Sequence, residues 1–300
     1  MAVRIPLFAR SDHLRWHGRD PAQYHRPPAT GLGQGVSVDA ESLGLLEDGL
    51  RKTMTAVSGH ELDEALADLG WLDMLAEMPD AAIPLVFRLL GETGTHAPVL
   101  NDVVLHAAGR EGGGTVPLPF AGGSWVLWER TGHASKVLGG DLPIRRVADG
   151  DPVPLAAGRH ALGWWLVGAS RAMLSLARQH ALDRVQFGRP VASFQAIRHR
   201  LAETLIAIEG AEATLQVGGA ELCDLGSLLA KAAAGQAALT AARHCQQVLG
   251  GIGFTSEHEL HRHVKRALVL DGILGNTREL IYEAGATLRA MGSAPRLAQL

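Results

Sequence analysis

Cysteine, lysine and tyrosine are scarce in this chain. Its 300 residues include two Cys, two Tyr and only the lysines Lys52, Lys136, Lys231 and Lys265. Cys223 and Cys245 are too few for a disulfide framework or a cysteine-built zinc site. The expectation is therefore a reducing compartment, the cytoplasm. Positive charge is not in excess: Lys and Arg total 28 against 31 Asp and Glu, a net charge of −3. That argues against nucleic acid as a partner, since such proteins carry a basic face. The preponderance of Arg over Lys fits a GC-rich genome better than a chemical role. Long apolar runs are also missing. The longest, 162–169, falls far short of the ~20 residues that span a bilayer. The opening Met1-Ala2-Val3-Arg4-Ile5-Pro6 has no extended apolar core, so neither a secretory leader nor a membrane segment is expected. What is present is globular composition, 47% hydrophobic and 20% charged, which excludes wholesale disorder.

The texture of the chain divides it. Residues 1–38 are rich in Pro, Gly, Arg and His without a period and read as an irregular arm. Wrapping a partner and loosely packed leader both remain open for it. Residues 39–107 read as helices. Leu62, Ala65, Leu66 and Leu69 mark one helical face with Gly70 as the stop, and Pro84 is expected to open a further helix. In 108–157 the Gly clusters 112–114 and 122–123, with Pro117, Pro119, Pro143, Pro152 and Pro154, leave room for only short strands and loops. Residues 158–292 are helical again. Leu162, Trp165, Leu166, Ala169, Met173 and Leu176 form one apolar stripe. Phe194, Ile197, Leu201, Leu205, Ile208 and Leu215 form a second. The Ala-rich run 231–249 suits a central helix, because small residues admit close neighbours. A last helix is expected over 277–291, and 293–300 is a tail. Long helices with short connections predict a bundle.

Two segments carry chemistry. In 183–195 a helix ends, Gly188 supplies the stop, Pro190 blocks continuation and Ser193 is placed to cap the next helix. This leaves unexplained a core-type Phe187 among Arg184, Gln186 and Gln195. In 246–257, Gly250, Gly251 and Gly253 follow a predicted helix end, where absent side chains let something approach the backbone. The spacing is not that of a dinucleotide-binding loop, which also needs a preceding strand. A metal centre is not expected: His258-Glu259-Leu260-His261 is one residue short of the zinc-helix spacing, and His263 adds no ligand pattern. Trp164 and Trp165 read as core or interface, and both cysteines as buried small apolar groups.

Together these segments resemble the C-terminal helical domain of the acyl-CoA dehydrogenase family. The family pattern is Arg-x-x-Phe-Gly, then a Gln, then some 50 residues on Gln-x-x-Gly-Gly-x-Gly-Phe. Arg184, Phe187, Gly188, Gln195, Gln247, Gly250, Gly251, Gly253 and Phe254 stand at matching places, and 260–267 resembles the family's basic helix. The resemblance spans about residues 155–292. It implies a mostly α, acyl-CoA dehydrogenase-like fold: a C-terminal four-helix bundle, a reduced N-terminal helical domain and a truncated middle β-region. It also implies FAD at a subunit interface, with Arg184, Gln186, Phe187, Gln195, Gln247, Gly250 and Gly251 gripping its ADP half. Arg184 offers planar donors to pyrophosphate, the Gln amides offer hydrogen bonds, Phe187 an aromatic face, and the Gly pair uncluttered N–H groups.

The sequence departs from the family in two ways. The family's catalytic Glu, the base that takes the α-proton, precedes a Gly in the loop after the basic helix, and Leu274-Gly275-Asn276-Thr277 stands there. In other members it opens the helix before the Arg-x-x-Phe-Gly segment, and Gly158 beside Arg159 stands there. Neither can accept a proton, so no catalytic residue is assigned. Asp271 should face elsewhere by helical spacing. Residues 108–157 also lack the family's flavin-bearing β-domain signature. The resemblance therefore implies the shortened, non-catalytic subunit of an α2β2 heterotetramer of the steroid side-chain type. A larger catalytic subunit would supply the Glu, the flavin bed and most contacts to acyl-CoA. Electron-transfer flavoprotein would be the acceptor. Gly158 and Leu274 would leave room for a bulky polycyclic acyl group. The alternatives are a self-sufficient homo-oligomeric dehydrogenase with a displaced base, or a non-enzymatic helical scaffold.

Overall fold

A computed structural model describes residues 40–131, 142–220 and 223–294. The irregular arm expected over 1–38 and residues 295–300 of the tail lie outside the described residues. The described chain opens with five helices, α1 (Ala40–Ala56), α2 (His60–Asp68), α3 (Trp71–Glu77), α4 (Pro79–Thr93) and α5 (Leu100–Ala107). Gly70 stops α2 in a left-handed conformation, φ 79°. Leu69 lies beyond the last helical residue and is 44% exposed, so the expected stripe ends at Leu66. Pro84 does not open a helix. Pro79 takes the first position of α4 and Pro84 falls within it. Pro needs no N–H partner in a first turn, so the earlier proline makes the better start.

The described residues between 117 and 147 hold three short antiparallel strands in the order β1 (Pro117–Phe120), β2 (Ser124–Trp128), β3 (Ile144–Val147). Leu118 pairs with Val126, and Val126 with Arg146. Pro117 and Pro119 sit on the edge strand, where a missing donor is tolerated. The sheet is tied to the rest of the molecule through its first hairpin. Leu274 N–H donates to Pro119 O at 2.8 Å, and Ala121 N–H to Gly272 O at 2.8 Å.

Four long or medium helices follow with one more between them: α6 (Ala156–Asp183), α7 (Gln195–Ala220), α8 (Asp224–Leu249), α9 (Leu260–Gly272) and α10 (Thr277–Met291). A short hairpin, β4 (Val185–Gln186) with β5 (Arg189–Pro190), separates α6 from α7. The Ala-rich α8 packs against α6, α7, α9 and α10, the central position its small side chains permit. Residues 158–170 of α6 are buried on every side, so its periodic stripe understates its burial. Leu205 of the second stripe is 43% exposed.

Helices α4 and α6 meet backbone to backbone. A methyl at Gly91 would lie 2.4 Å from Trp165 O, and one at Gly168 2.1 Å from Arg88 O. Only glycine fits both faces of that crossing. Around it Trp71, Phe87, Trp165 and Trp128 form a chain of ring contacts at 6.3, 5.6 and 5.4 Å. This chain joins α3, α4, α6 and β2 in one apolar core with α8 and α9. Asp102, 1% exposed, accepts Trp71 Nε1–H at 3.1 Å and Gly113 N–H at 2.8 Å and pairs with Arg130. Arg130 also reaches Asp63 at 2.7 Å. Cys245 is buried, its thiol pushed up to about 12 by burial. Cys223 is exposed, contrary to expectation. Its Sγ accepts Gly226 N–H at 3.3 Å as the N-cap of α8, which keeps it at the surface. Among the described residues no helix is long and apolar enough to cross a membrane.

Candidate functional site

The segment after α6 is a tight hairpin, not a helix stop at Gly188. Arg184 turns extended (φ −76°, ψ 118°) while its N–H closes onto His180 O. Gln186 then pairs with Arg189 across a two-residue turn. Both turn residues have positive φ: 55° at Phe187 and 79° at Gly188. Glycine adopts this freely, whereas a phenylalanine there is strained. Phe187 is 91% exposed, so no core contact accounts for the strain, and such outliers concentrate at functional sites. Arg184, Gln186, Gln195 and Gln247 are also exposed. Gln186 Nε2 donates to Val185 O at 2.8 Å, and Gln195 Nε2 lies 3.4 Å from His199 Nε2. Ser193 does not cap α7; its Oγ donates to Pro190 O at 2.7 Å. A hydroxyl spent on the preceding turn cannot also accept from the helix.

The second segment lies at the same end of the bundle. His244 of α8 is 3.1 Å from Arg200 Nη1 and 3.0 Å from Thr204 Oγ1 of α7, which puts the start of α7 beside the end of α8. His180 at the end of α6 approaches His258 with 6.4 Å between ring centroids. The glycine pair works differently from the expectation. Gly250 N–H donates back to Gln246 O and Gln247 O, closing α8 with φ 66°. A methyl at Gly250 or Gly251 would meet nothing within 4 Å. The pair thus supplies open surface and a left-handed turn, and the Gly250 N–H is already used.

The two places where a carboxylate base was sought are in contact with each other. A methyl at Gly158 would lie 2.8 Å from Leu274 Cδ1 and 3.0 Å from Val104 Cγ2, and Leu274 is 1% exposed. Side chain and gap fill one another, so no space for a bulky acyl group opens between them. Leu274 holds φ 59°, followed by Gly275 at 96°. Three carbonyls of this loop are taken by buried cations. Arg159 Nε donates to Leu274 O at 3.3 Å, and Lys231 Nζ to Asp271 O at 2.9 Å and Gly275 O at 2.6 Å. Burial lowers the Lys231 pKa to about 7 against the attraction of Asp271. Burial also lowers the Arg159 pKa, opposed by Glu283 at 3.6 Å and Asp224. Asp271 turns away from Gly158: its Oδ1 accepts Thr277 Oγ1–H at 2.6 Å and Thr277 N–H at 3.2 Å. Sequence reasoning missed Lys231 as a loop anchor, although a lysine at the head of an Ala-rich run, in a chain with only four lysines, was a visible signal.

Histidines 258, 261 and 263 serve the backbone and packing. His258 Nδ1 accepts Leu260 N–H at 3.1 Å, and His261 Nδ1 lies 2.8 Å from His258 O. His263 packs under Gly94, and burial, then Arg266 and Arg262, lowers its pKa to about 4. Among the described residues no three His, Cys, Asp or Glu gather as metal ligands. A cavity of about 650 Å³ lies apart from both sites, between the end of α1, the start of α2 and Arg262. Its Thr55, Thr93 and Thr95 hydroxyls are donated to backbone carbonyls.

Residues 153–284 match the family described as acyl-CoA dehydrogenase, C-terminal domain. Acyl-CoA dehydrogenase IpdE2 of Mycobacterium tuberculosis is 37% identical over 115 residues, 38% of this chain and 36% of that protein. The short-chain specific acyl-CoA dehydrogenase of Megasphaera elsdenii is 29% identical over 45% of this chain and 37% of its own. The chain therefore spans little more than a third of these relatives. Among solved structures, the ChsE4-ChsE5 complex from Mycobacterium tuberculosis aligns with TM-score 0.63 at 19% identity over 86% of this chain and 99% of that one. The Tcur3481-Tcur3483 steroid acyl-CoA dehydrogenase aligns with TM-score 0.64 at 20% identity over 85% and 99%. Residues 153–284 thus match an acyl-CoA dehydrogenase C-terminal domain, and the chain shares its overall fold with these two structures.

Proposed function

We propose that this chain is the non-catalytic subunit of a heteromeric, flavin-dependent acyl-CoA dehydrogenase, holding the ADP half of FAD for a larger catalytic partner. The observation that carries the reading is the contrast between its two sites. Gly158 and Leu274 pack together where a base would stand, while Arg184, Phe187, Gln195 and Gln247 are exposed at one end of the bundle. Their donor set suits an anionic, planar ligand: Arg184 for pyrophosphate, Gln186, Gln195 and Gln247 for polar edges, Phe187 for a base, with open surface at Gly250 and Gly251. Held by these residues, FAD would supply the hydride acceptor for dehydrogenation of the acyl chain. The partner would provide the general base and most contacts to acyl-CoA.

The distribution of exposed apolar side chains supports a protein partner. Phe187 is 91% exposed, Ile206 72%, Phe254 67% and Tyr282 66% on the C-terminal half, with Leu45 70% on α1, and exposed apolar surface marks interaction sites. The fold neighbours support the finer assignment to a two-subunit α2β2 assembly acting on a steroid side-chain acyl-CoA, with electron-transfer flavoprotein as acceptor. One of them is a steroid acyl-CoA dehydrogenase and another a two-component complex. Two free cysteines suit a reducing compartment, and the reading places the assembly in the cytoplasm.

The test is purification of the chain through a tag from its natural host. A larger flavoprotein should accompany it in equal amount, and dehydrogenation should require both. Arg184→Ala should lower FAD affinity about 10- to 100-fold, the worth of one charge-assisted hydrogen bond. A yellow, active homo-oligomer of this chain alone, or unchanged FAD content in Arg184→Ala, overturns the reading.

A further inference from the structure

Building on the clamp reading, which it presupposes, we propose that Phe194 and Arg189 are positioning residues. They hold the Phe187 ring at the hairpin tip in one orientation, ready to stack on the adenine base of the bound nucleotide.

The argument starts from what the turn does not do. Phe187 sits at positive φ, a conformation that suits Gly or Asn, and its ring is 91% exposed. Local backbone preference therefore does not select this ring or fix its direction. An exposed ring that moved freely would lose that freedom on stacking and weaken the contact. The structure supplies a fixed reference instead. The Phe194 ring lies 6.0 Å from the Phe187 ring at 82°, the edge-to-face arrangement that aromatic pairs favour. Arg189 places its guanidinium carbon 4.4 Å from the Phe194 centroid, within cation–π range.

Phe194 is itself anchored. Its N–H donates to Val191 O at 3.1 Å, and its carbonyl accepts Ile197 N–H at 3.1 Å and Arg198 N–H at 3.2 Å as α7 begins. Arg189 is held in register opposite Gln186 in the hairpin. A continuous set of contacts therefore runs from the first turn of α7 through Phe194 to the exposed ring, with Arg189 bracing the middle member. Such support brings a recognition group to its working geometry before the ligand arrives.

The experiment uses the tagged complex with its flavoprotein partner and measures FAD affinity and the thermal midpoint. Phe194→Leu keeps an apolar anchor but removes the ring, and should weaken FAD binding about three- to tenfold at an unchanged midpoint. Phe194→Tyr should restore wild-type affinity, and Arg189→Ala should weaken binding by about threefold. Wild-type affinity in Phe194→Leu, alongside loss in Arg184→Ala, overturns the positioning role and leaves the clamp intact. Equal weakening in the Leu and Tyr variants with a lowered midpoint also overturns it, by showing a structural role alone. Full FAD binding in both Arg184→Ala and Phe194→Leu refutes the clamp reading itself.

Discussion

The hairpin end of the bundle and the loop 271–277 obey opposite physical rules. The hairpin carries a strained Phe187 that is 91% exposed, its ring met edge-to-face by Phe194 at 6.0 Å. The loop also carries a left-handed residue, Leu274, yet it is 1% exposed and packed against Gly158. Lys231 and Arg159 take its carbonyls, and Pro119 O takes its N–H. One left-handed residue is over-determined by its surroundings, and the other waits for surroundings the chain does not supply. Strain that packing explains is architecture; strain that packing leaves unexplained points to a ligand or partner.

Three changes would break or sharpen this contrast. The largest effect is expected from Lys231 as pH changes. Its folded pKa of about 7 lies below the unfolded value of 10.5. Between those values the unfolded chain binds more protons, so stability rises with pH by on the order of 4 kcal/mol. Lys231→Met should flatten that rise in urea unfolding followed from pH 7 to 10; an unchanged slope would show that Lys231 does not titrate there. Next, Leu274→Ala should cost about 3 kcal/mol by leaving a cavity over Gly158, with FAD affinity of the complex unaltered. Loss of FAD binding at full stability would make the loop a binding element and erase the contrast. The smallest effect is at Phe187. Phe187→Asn should raise the stability of the free chain by about 1 kcal/mol by relieving the left-handed strain, while lowering FAD affinity of the complex. A stability loss on denaturant unfolding would mean that the contact with Phe194 outweighs the backbone strain at Phe187.

Much of the architecture was legible because local chemistry dictated it. Thr277 begins α10 behind Asn276, which accepts Glu279 N–H while Glu279 accepts Asn276 N–H, and this reciprocal cap is written in four residues. Gly70 and the prolines of 108–157 broke helices for equally local reasons. The clamp residues were legible only as types at a spacing. That they face solvent at one end of the bundle depends on how α6, α7 and α8 lie beside each other. Pro84 was misplaced because Pro79 competes for the same role five residues earlier. The use of Gly250 N–H to close α8 was hidden because capping by the backbone leaves no mark in side-chain identity.

By itself the sequence determined which stretches are helical, which stretch becomes a small sheet, and that no carboxylate stands at 158 or 274. These follow from propensity, backbone freedom and side-chain chemistry, all local quantities. Only the tertiary structure decided that Gly158 and Leu274 fill each other's space, that Gly91 and Gly168 let two helices cross at backbone distance, and that Lys231 is buried while Phe187 is not. Burial is set by neighbours far apart in the chain, and no local pattern carries their positions.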